Sequence, residues 1–292
     1  MLADEQGRDA TAVLRYAAFT ANPAGGNPAG VVLDASALSG SDRLAIARDL
    51  GYSESAFLSR RDGGRAGEFD ARYFSPEAEV PFCGHATIAA AVAIAERDGP
   101  GQLVFHIPAG VVPVVTRRDE TGAFTASLTS VPPQVADVRA TDVDAALAAL
   151  HWRRQELDVS LPPKIAYAGA RHLILAAASR ERLARLDYDF GALRAFMLDQ
   201  DLTTVDLVFE AADRLYHARN PFPVGGVYED PATGAAAAAF GASLRALGQV
   251  APPAQVTVLQ GDDMGRPSRI TVDIPPGNGP ITVTGGAVPI RG

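Results

Sequence analysis

The sequence predicts an α+β protein organised as two lobes. Its 292 residues exceed the usual size of one simple domain. Segments with strand patterns are mixed with a few helical segments, without the strict βαβα alternation of a doubly wound sheet. One eight-residue motif also occurs twice, about half the chain apart, and opens an alanine-rich helix each time. Together these observations favour two lobes of similar design.

The first half of the chain is predicted to form two helices and several short strands. A Ser/Asp cap followed by helical apolar spacing predicts a helix over 41–50. Proline in a first helical turn, followed by an alanine-rich run, predicts another over 81–95. Pro132 and Pro133 mark the predicted linker. Apolar segments between turn residues predict strands at 12–18, 30–33, 55–58, 69–74, 103–107, 111–116 and 123–128.

The second half follows the same mixture of elements. Helical patterns cover 143–150, 180–198 and 230–247. Strand patterns cover 173–176, 205–209, 256–260, 269–274 and 281–284.

Charge and hydropathy exclude several classes of function. The formal net charge of −8 argues against nucleic acid as the main partner, because phosphate binding requires a basic surface. No apolar run approaches the roughly 18–20 residues of a membrane span. Residues 1–12 mix charged and small side chains, so we expect a frayed leader without an apolar signal core and a cytoplasmic protein.

The sequence predicts neither a metal nor an organic cofactor. Cys83 is the single cysteine, and the five histidines never fall at i,i+3 or i,i+4, so a local metal-ligand motif is absent. Lys164 is the single lysine and follows two prolines. That position favours a surface-loop lysine over a Schiff-base role.

The repeated motif has the form E-x-P-x-x-G-x-A and covers 79–86 and 229–236. Glycine at a helix start lets a ligand approach the backbone, and the exposed N–H groups and helix dipole attract anions. Two such starts facing each other would clamp a carboxylate. The alternative interpretation is two ordinary capped core helices.

Four side chains near these segments are candidates for chemistry. Glu54 lies in a semi-apolar turn, where a glutamate can act as a general acid or base, or it is simply an exposed turn residue. His85 lies in a first helical turn, whose dipole favours a neutral imidazole. Cys83 is either a reactive thiol at a helix start or an apolar filler. Asp230 is either a helix N-cap or a catalytic carboxylate.

These segments resemble the PhzF family of phenazine biosynthesis, cofactor-independent isomerases that share the diaminopimelate epimerase fold. The resemblance spans nearly the whole chain and rests on six short motifs in the right order. They are G-N-P at 26–28, S-E at 53–54, F-S-P at 74–76, G-H-A-T at 84–87, E-D-P-A-T-G at 229–234, and Q-G with G-R-P at 260–261 and 265–267.

The resemblance implies two pseudo-symmetric lobes, each a curved, largely antiparallel sheet around a central helix, with the active site in the cleft between them. Residues 11–130 with 281–292 would form the N-terminal lobe, and 131–280 the C-terminal lobe. Homodimers are common in the family, so a homodimer that binds a small carboxylate is expected.

The resemblance also assigns roles to single residues. Glu54 matches the acid/base that moves a proton between carbons of a small cyclic carboxylate. His85 and Asp230 match its polar partners, and Gly84 and Gly234 match backbone contacts to the substrate.

Four further positions match substrate-binding positions of the family fold. Asn27 lies at the expected cleft edge. Cys83 and Thr233 stand where epimerase relatives carry two opposed cysteine bases, and threonine is far too weak an acid to replace the second one. Ala235 stands where the phenazine enzymes have serine, which argues against dihydrohydroxyanthranilate itself as the substrate.

Three hypotheses follow. The first is an isomerase that migrates a double bond by means of Glu54. The second is an amino-acid epimerase or dehydratase that relies on Cys83. The third is a non-catalytic binding protein on the same fold, because sites rather than folds determine function.

Overall fold

A computed structural model describes residues 12–108 and 110–291. The predicted leader, 1–12, lies outside the described residues except for its last position. Over these ranges the chain is a mixed α/β protein with many short strands and a few helices, as predicted at that level. None of the helices in the two ranges combines the length and apolar character that a membrane span requires.

The chain divides into two compact units. The described part of unit 1 comprises residues 12–23, 28–108, 110–126 and 286–291, and unit 2 comprises residues 24–27 and 127–285. Three segments that the sequence prediction placed in the N-terminal lobe fall in unit 2, namely residues 24–27, 127–130 and 281–285.

Unit 1 contains strands that pair mostly in antiparallel fashion around one buried helix. Its elements are β1 (Leu14–Ala18), β2 (Asn27–Val32, of which Asn27 belongs to unit 2), α1 (Gly40–Leu50), β3 (Glu54–Arg60), β4 (Glu68–Phe74), β5 (Glu79–Val80), α2 (Gly84–Asp98), β6 (Gln102–Ile107), β7 (Gly110–Arg118) and the first part of β8 (Phe124–Thr129). Strands β3 and β4 pair antiparallel, as do β4 and β5, and β6 and β7. Strand β2 runs parallel to β3, and β4 runs parallel to β6.

Helix α2 is the core of unit 1. Every residue from His85 to Ala95 is buried, as expected for a helix whose faces all carry alanine or larger apolar side chains. The helix packs on β1, β3 and β7. Its alanine side chains are small, so these strands can approach the helix closely.

Unit 2 has the same kind of construction with more helices. Its elements are β9 (Gln134–Asp137), α3 (Ala140–Ala149), β10 (Lys164–Tyr167), β11 (Arg171–Ala176), α4 (Arg180–Ala184), α5 (Phe190–Asp199), β12 (Thr204–Ala212), β13 (Leu215–Pro221), β14 (Glu229–Asp230), α6 (Gly234–Ala246), β15 (Ala254–Gln260), β16 (Ser268–Ile274) and the first part of β17 (Thr282–Pro289). Short 3-10 helices occur at Arg154–Glu156, Pro223–Gly225 and Asp262–Met264.

The strands of unit 2 are also largely antiparallel. Antiparallel pairs join β9 to β10, β10 to β11, β12 to β13, β13 to β14, β15 to β16 and β16 to β17. Strand β11 runs parallel to β12, and β13 runs parallel to β15. The buried helix α6 packs on β16 and on β9 to β12.

Three predictions about elements are wrong. The helix expected over 180–198 is two helices, because Asp189 accepts the N–H of Ala192 and starts a new helix there. Strand β13 was missed because its buried end carries Arg219 and Asn220, which break the alternating apolar pattern. Lys164 does not lie in a surface loop; it opens β10, and its ammonium group contacts Asp137.

The two repeated helices begin three to four residues later than predicted. The N-cap of α2 is Cys83 and that of α6 is Thr233, and both have non-helical backbone angles. Pro81 therefore precedes the helix instead of occupying its first turn. Asp230 lies in β14, so it is not the N-cap of α6.

Candidate active site

Three predicted site residues meet at the start of α2 in unit 1. Glu54 is the first residue of β3, Cys83 is the N-cap of α2, and His85 is the second residue of that helix. The Oε2 atom of Glu54 lies 3.6 Å from His85 Nε2 and 3.7 Å from Cys83 Sγ. Cys83 Sγ is also 3.4 Å from His85 Nδ1. Carboxylate, thiol and imidazole thus form one compact group.

The members of this group differ in their exposure. The side chain of His85 is 6% exposed and that of Glu54 is 16% exposed, while Cys83 is buried. Burial lowers the pKa of His85, although the nearby Glu54 carboxylate opposes this shift. The imidazole is therefore neutral near pH 7 and can donate one hydrogen bond and accept another.

Hydrogen bonds behind the group hold the helix start in place. The Thr87 hydroxyl donates to the carbonyl of Cys83 at 2.7 Å and lies 2.7 Å from the Tyr73 hydroxyl. On the other side, the Ser53 hydroxyl lies 3.4 Å from His85 Nε2. These contacts fix the backbone of Cys83 and the ring plane of His85 against β3 and β4.

Gly84 leaves open space at the helix start. A methyl group on its Cα would lie farther than 4 Å from the atoms around it. The first N–H groups of a helix have no acceptor within the helix, and together with the dipole they attract anions. An anionic ligand thus has room to approach the backbone at Gly84.

Gly84→Ala is expected to lower kcat/KM by about 10²-fold, because a small displacement of bound substrate costs about that much. Its stability should rise by about 0.4–1 kcal/mol, since alanine restricts the unfolded chain. Gly40→Ala is the matched control, because Gly40 also opens a helix and also faces open space. Steady-state kinetics and urea unfolding of both variants test this. Equal kinetics for the two variants would contradict the role of Gly84.

A second polar group surrounds the start of α6 in unit 2. The Asp230 carboxylate accepts hydrogen bonds from the Asn27 amide at 2.7 Å and from the Thr233 hydroxyl at 2.5 Å. Asn27 also donates to the carbonyl of Ala232 at 3.1 Å. Asn27 is 1% exposed, and its amide positions Asp230. Its contact with substrate stays a prediction.

Gln260 joins this group, although the sequence analysis did not include it in the site. Its amide donates to the Asp230 carbonyl at 2.7 Å and to the Thr233 hydroxyl at 3.0 Å, and its oxygen accepts the Thr233 N–H at 3.0 Å. The Q-G motif at 260–261 is the sequence feature from which Gln260 could have been predicted as a site residue. Gln260 thereby holds in place both β14 and Thr233, the residue that precedes α6.

Behind β14 lies a buried hydrogen-bonded network. Asn220, the Cα partner of Asp230 in the β13–β14 pair, donates to Asp206 at 2.9 Å. It accepts from Thr204 at 2.6 Å, and Thr204 lies 2.8 Å from His172 Nδ1. Burial raises the pKa of Asp206 to about 7. Asn220 thus links β13 to Asp206 and Thr204 of β12.

The remaining predicted positions lie at the start of α6. Thr233 and Ala235 are partly exposed, and Gly234 is buried. The structure thus brings Glu54, Cys83 and His85 together in unit 1. In unit 2 it brings Asn27, Asp230 and Thr233 together.

Asp230→Asn is expected to lower both stability and turnover. Asn27 and Thr233 donate to different oxygens of the carboxylate. Asparagine has an NH2 group in place of one of these oxygens, so one buried donor loses its acceptor, at a cost of about 1–3 kcal/mol. Asp189→Asn is the control, since Asp189 is a true N-cap and asparagine caps equally well. Urea unfolding and kinetics check this. A folded Asp230→Asn variant with unchanged turnover would make Asp230 purely structural.

Comparison with known proteins defines the class. A family model for phenazine biosynthesis-like proteins matches residues 16–292. The trans-2,3-dihydro-3-hydroxyanthranilate isomerase of Pseudomonas aeruginosa is 31% identical over 254 residues, which cover 87% of this chain and 86% of that protein. The chain therefore belongs to the PhzF-like family of phenazine biosynthesis proteins, as its motifs predicted, and the enzyme class of that family is isomerase.

Solved structures agree with this assignment. A PhzF family protein of Bacillus anthracis superposes with a TM-score of 0.85 at 25% identity, over 96% of both chains. A hydroxyproline epimerase of Agrobacterium vitis superposes with a TM-score of 0.64 at 14% identity, over 96% of this chain and 90% of that one. The second similarity concerns the fold alone.

Proposed function

We propose that this isomerase moves a proton between two carbons of a small cyclic or amino carboxylate, so that a double bond migrates, with Glu54 as the acid/base. The observation that carries the proposal is the position of the Glu54 carboxylate. It lies 3.6 Å from the His85 imidazole, beside the start of α2, and its side chain keeps 16% exposure. A positioned and partly desolvated carboxylate is what proton abstraction from carbon requires.

The proposed reaction leaves the enzyme unchanged at its end. The substrate carboxylate binds the N–H groups near Gly84, which also stabilise the negative charge that develops when a proton leaves carbon. Glu54 takes that proton, the electron pair spreads over the conjugated system, and Glu54 returns the proton to a second carbon. The neutral His85 imidazole orients Glu54 or donates to a substrate oxygen.

The substrate class follows from the relatives and from one substitution. The Pseudomonas aeruginosa relative is named for an isomerisation of trans-2,3-dihydro-3-hydroxyanthranilate. The family resemblance places a serine at position 235, where this chain has a partly exposed alanine and so lacks a hydroxyl donor. We propose a related cyclic carboxylate whose binding does not depend on that donor.

A second candidate function uses the thiol as base in an epimerase or dehydratase. It is favoured by the position of Cys83 Sγ, 3.4 Å from His85 Nδ1. In unit 2, however, the Thr233 hydroxyl donates to Asp230 and accepts from Gln260. That hydroxyl is a weak acid bound to its neighbours, so a mechanism with two opposed bases lacks its second base.

The strand pairing supports an internal duplication, which we include in the proposal. In unit 1, β2 is parallel to β3, β3 and β5 are antiparallel to β4, and β6 is parallel to β4. In unit 2, β11 to β15 pair in the same order. In each unit the buried helix follows the two-residue strand. The proposed pseudo-symmetry of the lobes rests on this repeat.

Proton NMR in heavy water tests the proposed function. The protein is incubated with cyclic diene carboxylates and, separately, with proline-type amino acids. Deuterium entering a ring carbon together with a shifted double bond supports the isomerase. Inversion at the α-carbon of an amino acid supports the epimerase. Binding without exchange in either set would leave only a binding function.

Turnover is expected to survive removal of metal ions. Glu54 must offer a carboxylate oxygen to the proton, so the proposed reaction needs no metal at this position. Protein treated with EDTA and passed through a desalting column should keep its full kcat. Loss of activity that zinc or manganese restores would contradict the proposed mechanism.

A further inference from the structure

Three possible ligand atoms at the start of α2 have spacings close to those of a tetrahedral metal site. Zinc binds sulfur at about 2.3 Å, imidazole nitrogen at about 2.0–2.1 Å and carboxylate oxygen at about 2.0–2.2 Å, so tetrahedral ligands stand about 3.3–3.6 Å apart. In the structure, Cys83 Sγ, His85 Nε2 and Glu54 Oε2 are separated by 3.7, 3.7 and 3.6 Å. The three atoms thus mark one face of a slightly expanded tetrahedron.

We propose that Glu54, Cys83 and His85 form a zinc site whose occupation inhibits the enzyme. The three residues form a group able to hold a metal ion within the described part of the chain. The histidine spacing along the sequence did not reveal it, because the group contains a single histidine and because Glu54 is distant from Cys83 and His85 in the chain.

The ligand set selects the metal. Thiolate and imidazole favour zinc over magnesium or calcium, which prefer oxygen ligands. On binding, the Cys83 thiol loses its proton to solvent and forms the zinc–sulfur bond, while the imidazole nitrogen and the carboxylate each donate an electron pair. The fourth position is left to water, for which the open space beside Gly84 offers room.

Inhibition follows from the use of Glu54, and this part rests on the proposed function. A carboxylate oxygen bound to zinc cannot accept a proton from carbon. The bound ion also occupies the space beside the helix start where the substrate carboxylate would bind. Zinc binding itself does not depend on what the enzyme catalyses.

Two binding measurements use the unmodified protein. Cobalt(II) serves as a spectroscopic probe for zinc, and we expect one equivalent to produce a thiolate-to-cobalt charge-transfer band. Because Cys83 is the single cysteine, iodoacetamide labelling read by mass spectrometry reports on this thiol alone. Zinc at about 100 times its Kd should slow labelling about 100-fold, and EDTA should restore the rate.

Variants distinguish this site from a surface contact. Glu54→Gln should weaken cobalt binding at least about tenfold, since even loss of an outer partner costs about 10–100-fold in affinity. His217→Gln is the matched control, because His217 lies 3.1 Å from Asp262 in another imidazole–carboxylate pair. It should change neither the spectrum nor the labelling. Cobalt binding without a thiolate band, or labelling that zinc does not slow, overturns the proposal.

Failure of the zinc site and failure of the proposed function are separable. Thiolate-bound cobalt with full turnover in the presence of saturating zinc would overturn inhibition but leave the metal site. Turnover that is abolished by Glu54→Gln in a protein that binds no cobalt would overturn the metal site and support Glu54 as the base.

Discussion

Replacing Glu54 with glutamine is expected to lower kcat by about 10²–10⁴-fold, the usual contribution of a positioned general acid or base. Glutamine keeps the size of the side chain and can still hydrogen-bond, so the variant should fold. Its affinity for a carboxylate ligand should be nearly unchanged, because the helix start beside Gly84 is intact. Rapid-quench kinetics and calorimetric ligand binding measure the two effects separately.

Glu68 offers a matched control for this substitution. Glu68 also opens a strand of unit 1, and its Oε2 atom also lies 3.6 Å from a histidine, His106. Glu68→Gln should keep its turnover, because this pair lies outside the group at the start of α2. Equal losses in both variants would mean that the charge of unit 1, and not the position of Glu54, determines the rate.

Arg219→Met is expected to cause the largest loss of stability, about 3–5 kcal/mol. Arg219 and Glu229 form a two-bonded ion pair whose side chains are 9% and 4% exposed. Methionine fills similar volume but leaves the Glu229 carboxylate buried without its cation. Because Glu229 precedes Asp230 in β14, turnover should fall as well. Urea unfolding followed by circular dichroism measures the change.

Arg61→Met provides the comparison for an exposed pair. Arg61 contacts Asp70 at 2.9 Å, with side-chain exposures of 42% and 52%. Such pairs contribute about 0–1 kcal/mol, because solvent screens the charges. If Arg219→Met lost no more stability than Arg61→Met, the buried pair would not be what holds β14 in place.

The two buried helices, α2 and α6, were predicted well because an alanine-rich helical pattern can be recognised without knowing the rest of the fold. It placed their starts too early, because proline is compatible with a first helical turn and also with the extended residues before it. The correct limit is set by Cys83 and Thr233, whose backbone angles are not helical. The N–H of Thr233 is bound by Gln260, 27 residues further along the chain. Local patterns contain little information about such contacts.

The candidate site was predicted only in part, because local patterns contain little information about contacts between distant residues. Short motifs identified Glu54, His85 and Asp230 as candidates. The role of Gln260 and the attachment of Asn27 to Asp230 depend on hydrogen bonds between residues far apart in the chain. Spacing along the sequence cannot reveal such contacts, and the distances among Glu54, Cys83 and His85 were unpredictable for the same reason.

The identity of the base is the central claim, and deuterium exchange tests it most directly. A substrate or bound analogue is incubated in heavy water with the wild-type protein, Glu54→Gln and Cys83→Ala, and exchange at the reacting carbon is followed by NMR. The account predicts that exchange persists in Cys83→Ala and disappears in Glu54→Gln. Exchange that persists in Glu54→Gln and disappears in Cys83→Ala would contradict it, because the thiol would then be the base.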